Sequence, residues 1–85
     1  MLRKKNLQFL RSDYVEVNGK WRETTLLQMK IEKTDVDRIN WIEQHAVSYR
    51  IREVPSYDVH GRIEYILWAT FRIFPEQLTF WKLRF

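Results

Sequence analysis

The chain has only two glycines, Gly19 and Gly61, and each lies between runs of branched and aromatic side chains. Asn18-Gly19 and His60-Gly61 therefore read as two β-hairpin tips, because a tight hairpin loop needs residues that tolerate positive φ. The second tip fixes a register. A strand repeats every two residues, so a slip of one position reverses every face. From Ile63 to Ile73 each odd position is apolar (Ile63, Tyr65, Leu67, Ala69, Phe71, Ile73), whereas the even ones are Arg62, Glu64, Ile66, Trp68, Thr70 and Arg72. The preceding strand carries Val47, Tyr49 and Ile51 at odd positions. A three-residue loop Val59-His60-Gly61, with Asp58 opening the turn and Gly61 in the left-handed region, sets Ile51 opposite Ala69 and Tyr49 opposite Phe71. The odd face is thereby expected to be core.

Phe74-Pro75-Glu76 interrupts this strand, since proline cannot donate to a ladder. Leu78 to Phe85 resumes an alternation and reads as a further strand, with Pro75 to Gln77 as the loop, Phe71 opposite Trp81 and Ala69 opposite Leu83. Between the hairpins, Thr34-Asp35-Val36-Asp37 opens a helix to about Ala46. Thr34 is the expected N-cap, and the two carboxylates favour the positive end of the dipole. Val36, Ile39, Ile42 and Ala46 form its apolar stripe, with Trp41 off it. Trp21 to Ile31 is read as a strand on the alternation of Thr25, Leu27, Met29 and Ile31, although Thr24 to Lys30 is also acceptable helix material. The first hairpin joins it to Leu7 to Val17. The expected fold is a small α+β domain, an antiparallel sheet in the order ββαβββ with one helix packed on one face.

Size and composition narrow the function classes. Eighty-five residues, 45% apolar and 31% charged, support a single domain with one modest core, spanning residues 1–85. The absence of cysteine excludes disulfides and thiolate zinc sites and fits a reducing, cytoplasmic setting. Met1-Leu2-Arg3-Lys4-Lys5 resembles the basic head of a secretory signal, but the apolar stretch after it ends at Arg11-Ser12-Asp13, short of the roughly 7 to 15 residues a signal needs. Residues 1–6 are expected to be a basic arm, frayed or in contact with a partner. The longest apolar run, Tyr65 to Ala69, is far below the roughly 20 residues of a membrane span, so no membrane partner is expected. Fifteen Lys and Arg against eleven Asp and Glu give a net charge of +4, which favours polyanions.

With the odd face buried, the even positions of the last three strands become the surface of interest. Arg50, Arg52, Arg62, Arg72, Lys82 and Arg84 meet one carboxylate, Glu64, and Trp68 and Phe80 lie among them. In the register above, Arg52 faces Trp68, Arg72 faces Phe80 and Trp68 faces Arg84. Cations attract phosphates and release counterions, and flat rings stack unpaired bases. Arg50, Arg52, Arg62, Trp68, Arg72, Phe80, Lys82 and Arg84 are thus the candidate binding residues for single-stranded or structured RNA or DNA. A plain solvated face explains the cations but not Ile66, Trp68, Leu78 and Phe80. If the N-terminal hairpin folds over this face instead, it becomes a second core. The same residue types also anchor protein interfaces, so the alternative is a compact protein-binding module, such as a viral or mobile-element inhibitor or adaptor that seeks an acidic surface. A homodimer is compatible with either.

Catalytic groups are scarce. His45 suits the negative end of the helix dipole, and His60 sits on a turn. Asp58 and His60 alone make no metal site. A metal-independent ribonuclease using His60 or Glu64 as base, with arginines at the phosphorane, suffers because a hairpin tip does not meet the middle of a sheet. The expectation is a non-enzyme without cofactor or metal.

Overall fold

The computed structural model describes residues 7–85, so the basic arm expected at 1–6 lies outside the described residues. The order is β1 (Gln8–Val17), β2 (Lys20–Ile31), α1 (Val36–His45), β3 (Ser48–Tyr57), β4 (Ile63–Ile73) and α2 (Pro75–Arg84). The strands form one antiparallel sheet in the order β1-β2-β4-β3.

Both hairpins follow their turn chemistry. At the first tip Asn18 and Gly19 take φ of 52° and 78°, and Val17 pairs with Lys20, as a two-residue turn with both central φ values positive requires. At the second, the Asp58 N–H donates to the Arg62 carbonyl (3.0 Å), the Gly61 N–H donates to the Asp58 carbonyl (3.1 Å), and Gly61 has φ 75°. Asp58 Oδ1 also accepts from the His60 and Arg62 N–H groups, both at 2.8 Å, which closes the loop. The expected pairs Ile51 with Ala69 and Tyr49 with Phe71 are present.

The C-terminal element departs from expectation. Leu78 to Phe85 is helical, and the neighbour of β4 is β2, with Thr25–Ile31 running against Leu67–Ile73. The order is therefore ββαββα. Pro75 occupies the first helical position, where its missing N–H costs nothing. Gln77 Oε1 accepts from the Phe74 N–H at 3.1 Å, the reach-back half of a capping box. Leu78, Trp81 and Phe85 fall at i, i+3 and i+7 and pack on the core, so the period is helical. At α1 the cap is Asp35 rather than Thr34, its Oδ1 accepting from the Arg38 N–H at 3.4 Å. Val36 is exposed and Trp41 buried, so the inward stripe is rotated from the one expected.

Both helices cover the odd face. Leu27, Met29, Ile31, Ala69, Phe71 and Ile73 lie beneath Trp41, Ile42 and Trp81. Trp81 meets Trp41 edge-on at 5.1 Å and leans on Phe71 at 5.5 Å. Contacts at both ends set the helices antiparallel: Gln77 Nε2 donates to the His45 carbonyl, and the Arg38 guanidinium lies over the Phe85 ring.

The two hairpins overlap only where β2 meets β4, and their tips overhang in opposite directions, which gives a body about 52 Å long. The N-terminal hairpin extends the sheet sideways instead of folding over its even face.

Candidate nucleic-acid interface

Alternation that sends odd residues of β2 and β4 into the core leaves their even residues on the opposite face. Three rows cross that face. Lys30, Trp68 and Arg52 form one; Gln8, Gln28, Thr70 and Arg50 form the next; Arg11, Leu26, Arg72 and Ser48 form the third. A bulge between Phe9 and Arg11 puts Arg11 and Asp13, rather than Leu10, on this side of β1.

Arg50, Arg52 and Lys30 are exposed and make no ion pair among the described residues. Trp68 is half-buried between them, with Lys30 Nζ 5.3 Å from its ring centroid, a distance at which the cation is attracted to the ring. Arg52 stands opposite Trp68, as the sequence reading expects.

Arg72 also lies on this face, but its guanidinium is engaged. Asp13 Oδ2 accepts from Arg72 Nη2 at 3.0 Å and from Arg11 Nε at 2.9 Å. The Arg72 side chain is only 21% exposed, and its Nε is buried without a partner among the described residues. The carboxylate offsets one of two guanidinium charges. Asp13 was invisible to a reading confined to the last three strands; the signal was the Asn18-Gly19 turn, whose two-residue register sets Asp13 opposite Thr24.

Phe80, Lys82 and Arg84 are not brought to this face, because they belong to α2 on the other side of the sheet. Phe80 is 61% exposed there. Arg84 lines a cleft with Asp37, Asn40, Trp41, Gln44 and His45. Arg72 consequently faces Leu26 and Ser48, not Phe80, and the residue across from Trp68 on the inner side is Lys30, not Arg84. Arg62 sits at the β3-β4 tip, about 20 Å along the strand from Trp68 at roughly 3.4 Å per residue. Lys30 and Gln28 were missed as site residues because the sequence reading left β2 out of this face.

The acid-base groups lie apart from these rows. His60 is on the loop whose hydrogen bonds occupy Asp58, and Glu64 stands opposite Ser56 in the overhanging arm. Among the described residues, no group of three or more His, Cys, Asp or Glu comes together as metal ligands, and no helix is long and apolar enough to cross a membrane. No family model, no curated protein and no solved structure matches the chain.

Proposed function

We propose that this chain is a small, non-catalytic nucleic-acid-binding protein whose contact surface is the even-numbered sheet face. One observation carries the reading: Lys30, Arg50 and Arg52 gather around Trp68, exposed and without ion-pair partners among the described residues, on a face that neither helix occupies. Cations held this way neutralise phosphates at little cost, since no internal salt bridge has to break. A net charge of +4 adds attraction at longer range. The same reading puts the protein in the cytoplasm, in keeping with a chain free of cysteine.

Titration of labelled RNA and DNA at about 50 and about 200 mM salt tests it, with steeply weaker binding expected at the higher salt. Arg50→Ala and Arg52→Ala are each expected to reduce the log-log salt slope by about 1. Failure of the folded protein to bind at the lower salt, or slopes unchanged by both substitutions, would reject the reading.

A protein-binding role is favoured by a different surface. Beyond the helices, the odd side of the β3-β4 arm exposes Tyr57 (68%), Ile63 (53%) and Tyr65 (54%), paired through Pro55 with Tyr65 and Tyr57 with Ile63. Exposed apolar side chains grouped like this mark contact surfaces. In this second reading the arm engages a larger protein or a second copy. Tyr57→Ser with Ile63→Ser then abolishes association while leaving nucleic-acid titrations unchanged.

A further inference from the structure

Building on the nucleic-acid reading, we infer that the face reads base edges of duplex DNA in the major groove, with Gln28 and Thr70 as its sequence-determining residues. The first ground is what the face lacks. A single-strand platform needs successive rings open to stacking. Trp68 is the lone aromatic residue on this side of the described strands, and Lys30 already approaches its ring. The exposed rings Phe9, Tyr14, Trp21, Tyr49, Tyr57 and Tyr65 occupy the other side or the overhanging arms, and Phe80 is on α2.

The second ground is what the face presents instead. Gln28 and Thr70 are neighbours on the two central strands, half-exposed, and neither side chain makes a hydrogen bond among the described residues. An unengaged amide offers a donor and an acceptor in the fork that pairs with adenine N6 and N7, and a threonine offers a hydroxyl and a methyl group. On the flanking strands are Arg11 to one side and Arg50 and Arg52 to the other. Polar readers at the centre, with Lys30 beside them and Arg11, Arg50 and Arg52 on the flanking strands, match a groove floored by base edges and walled by phosphates. Gln28 and Thr70 stand on the two central strands, roughly 5 Å apart, and the B-form major groove, about 12 Å wide, admits a two-stranded ribbon. Duplex RNA is excluded as the target, because its major groove is too narrow for side chains to read.

The test is selection from a randomised duplex DNA pool and from the matching single-strand pool. The wild type is expected to prefer duplex and to enrich one sequence. Gln28→Met and Thr70→Val keep the bulk of each side chain, and unfolding midpoints near wild type will verify their folds. Each variant is expected to lose about tenfold in preference for the enriched sequence, the scale of one lost base contact, while binding unselected duplex as before. Binding to duplex with no sequence enriched, a preference for single strands, or full preference retained by both variants would overturn the inference and leave the broader reading standing. Binding to neither pool would overturn both.

Discussion

Along β4, Ala69, Phe71 and Ile73 lie under the helices with no solvent contact, while Trp68, Thr70 and Arg72 between them stay half-exposed. The two sets share one backbone and differ in which side of the pleat they occupy: Ala69 and Phe71 face Met29, Ile51, Leu27 and Tyr49, whereas Trp68 and Thr70 face Lys30, Arg52, Gln28 and Arg50. On the covered side, burial fixes identity through volume and shape. On the open side no layer lies above, so packing leaves room for lysine, glutamine, threonine and arginine. The lesson is that the covered side carries the stability of this small domain, and the open side is where residue choice is available for binding.

The sharpest way to break that comparison is to truncate adjacent residues on the two sides. Phe71→Ala removes a fully buried ring from the centre of the core and is expected to cost about 3 to 5 kcal/mol in urea unfolding. Thr70→Ala, its immediate neighbour, is expected to cost within about 1 kcal/mol. Similar losses at both would mean that the open side is packed after all.

Parity along the second hairpin was legible because its glycine fixed the loop and every odd residue of Ile63 to Ile73 is apolar. At β2 the alternation of Thr25, Leu27, Met29 and Ile31 favours a strand, but Thr24 to Lys30 also suits a helix, so the sequence alone leaves both open. Helix α2 was not legible, because Leu78 to Phe85 satisfies two periods: Trp81, Leu83 and Phe85 alternate, yet Leu78, Trp81 and Phe85 also share one helical stripe. What separates them is the start signal Pro75-Glu76-Gln77, which marks a first turn more specifically than it marks a loop. That choice cost three of the eight candidate residues their place on the face. Arg72 is on the expected face but opposite Leu26 and Ser48 instead of Phe80, and its pairing with Asp13, fifty-nine positions away, is not legible from the last three strands.

A smaller effect sharpens the electrostatics of the open side. Asp13→Asn removes the carboxylate that engages Arg11 and Arg72. The expected stability loss is about 1 kcal/mol, modest because Asp13 is 39% exposed. Polyanion binding is expected to tighten, with the salt slope rising by up to about 1. A weaker affinity in this variant would place the contact elsewhere.

The hairpin tip supplies a comparable effect on structure alone. Gly61 has φ 75° with open space around a notional Cβ, so Gly61→Ala is expected to cost about 1 kcal/mol from backbone strain without a clash. Thermal unfolding checks it, and nucleic-acid affinity is expected to hold.

The smallest effect belongs to the start of α2. Backbone hydrogen bonding at the start of α2, and then the Arg22 guanidinium, hold the Glu76 carboxyl below its ordinary value of 4.5. A lowered value means that the charged form favours the folded state, so its contribution is present above pH 4.5 and is lost as pH falls through the lowered value. Glu76→Gln is accordingly expected to lower the unfolding midpoint slightly at neutral pH and leave it unchanged at the acid end, which flattens the acid limb.

The four tryptophans divide the molecule for a decisive measurement: Trp68 on the open side, Trp41 and Trp81 in the core, and Trp21 exposed on the β1-β2 arm with odd parity. Indole N–H resonances followed by NMR during titration with duplex DNA report all four at once. The Trp68 signal is expected to move with saturation while those of Trp21, Trp41 and Trp81 stay in place. Movement of Trp21 with Trp68 unchanged, or no movement at saturating DNA, would contradict a site on the open side.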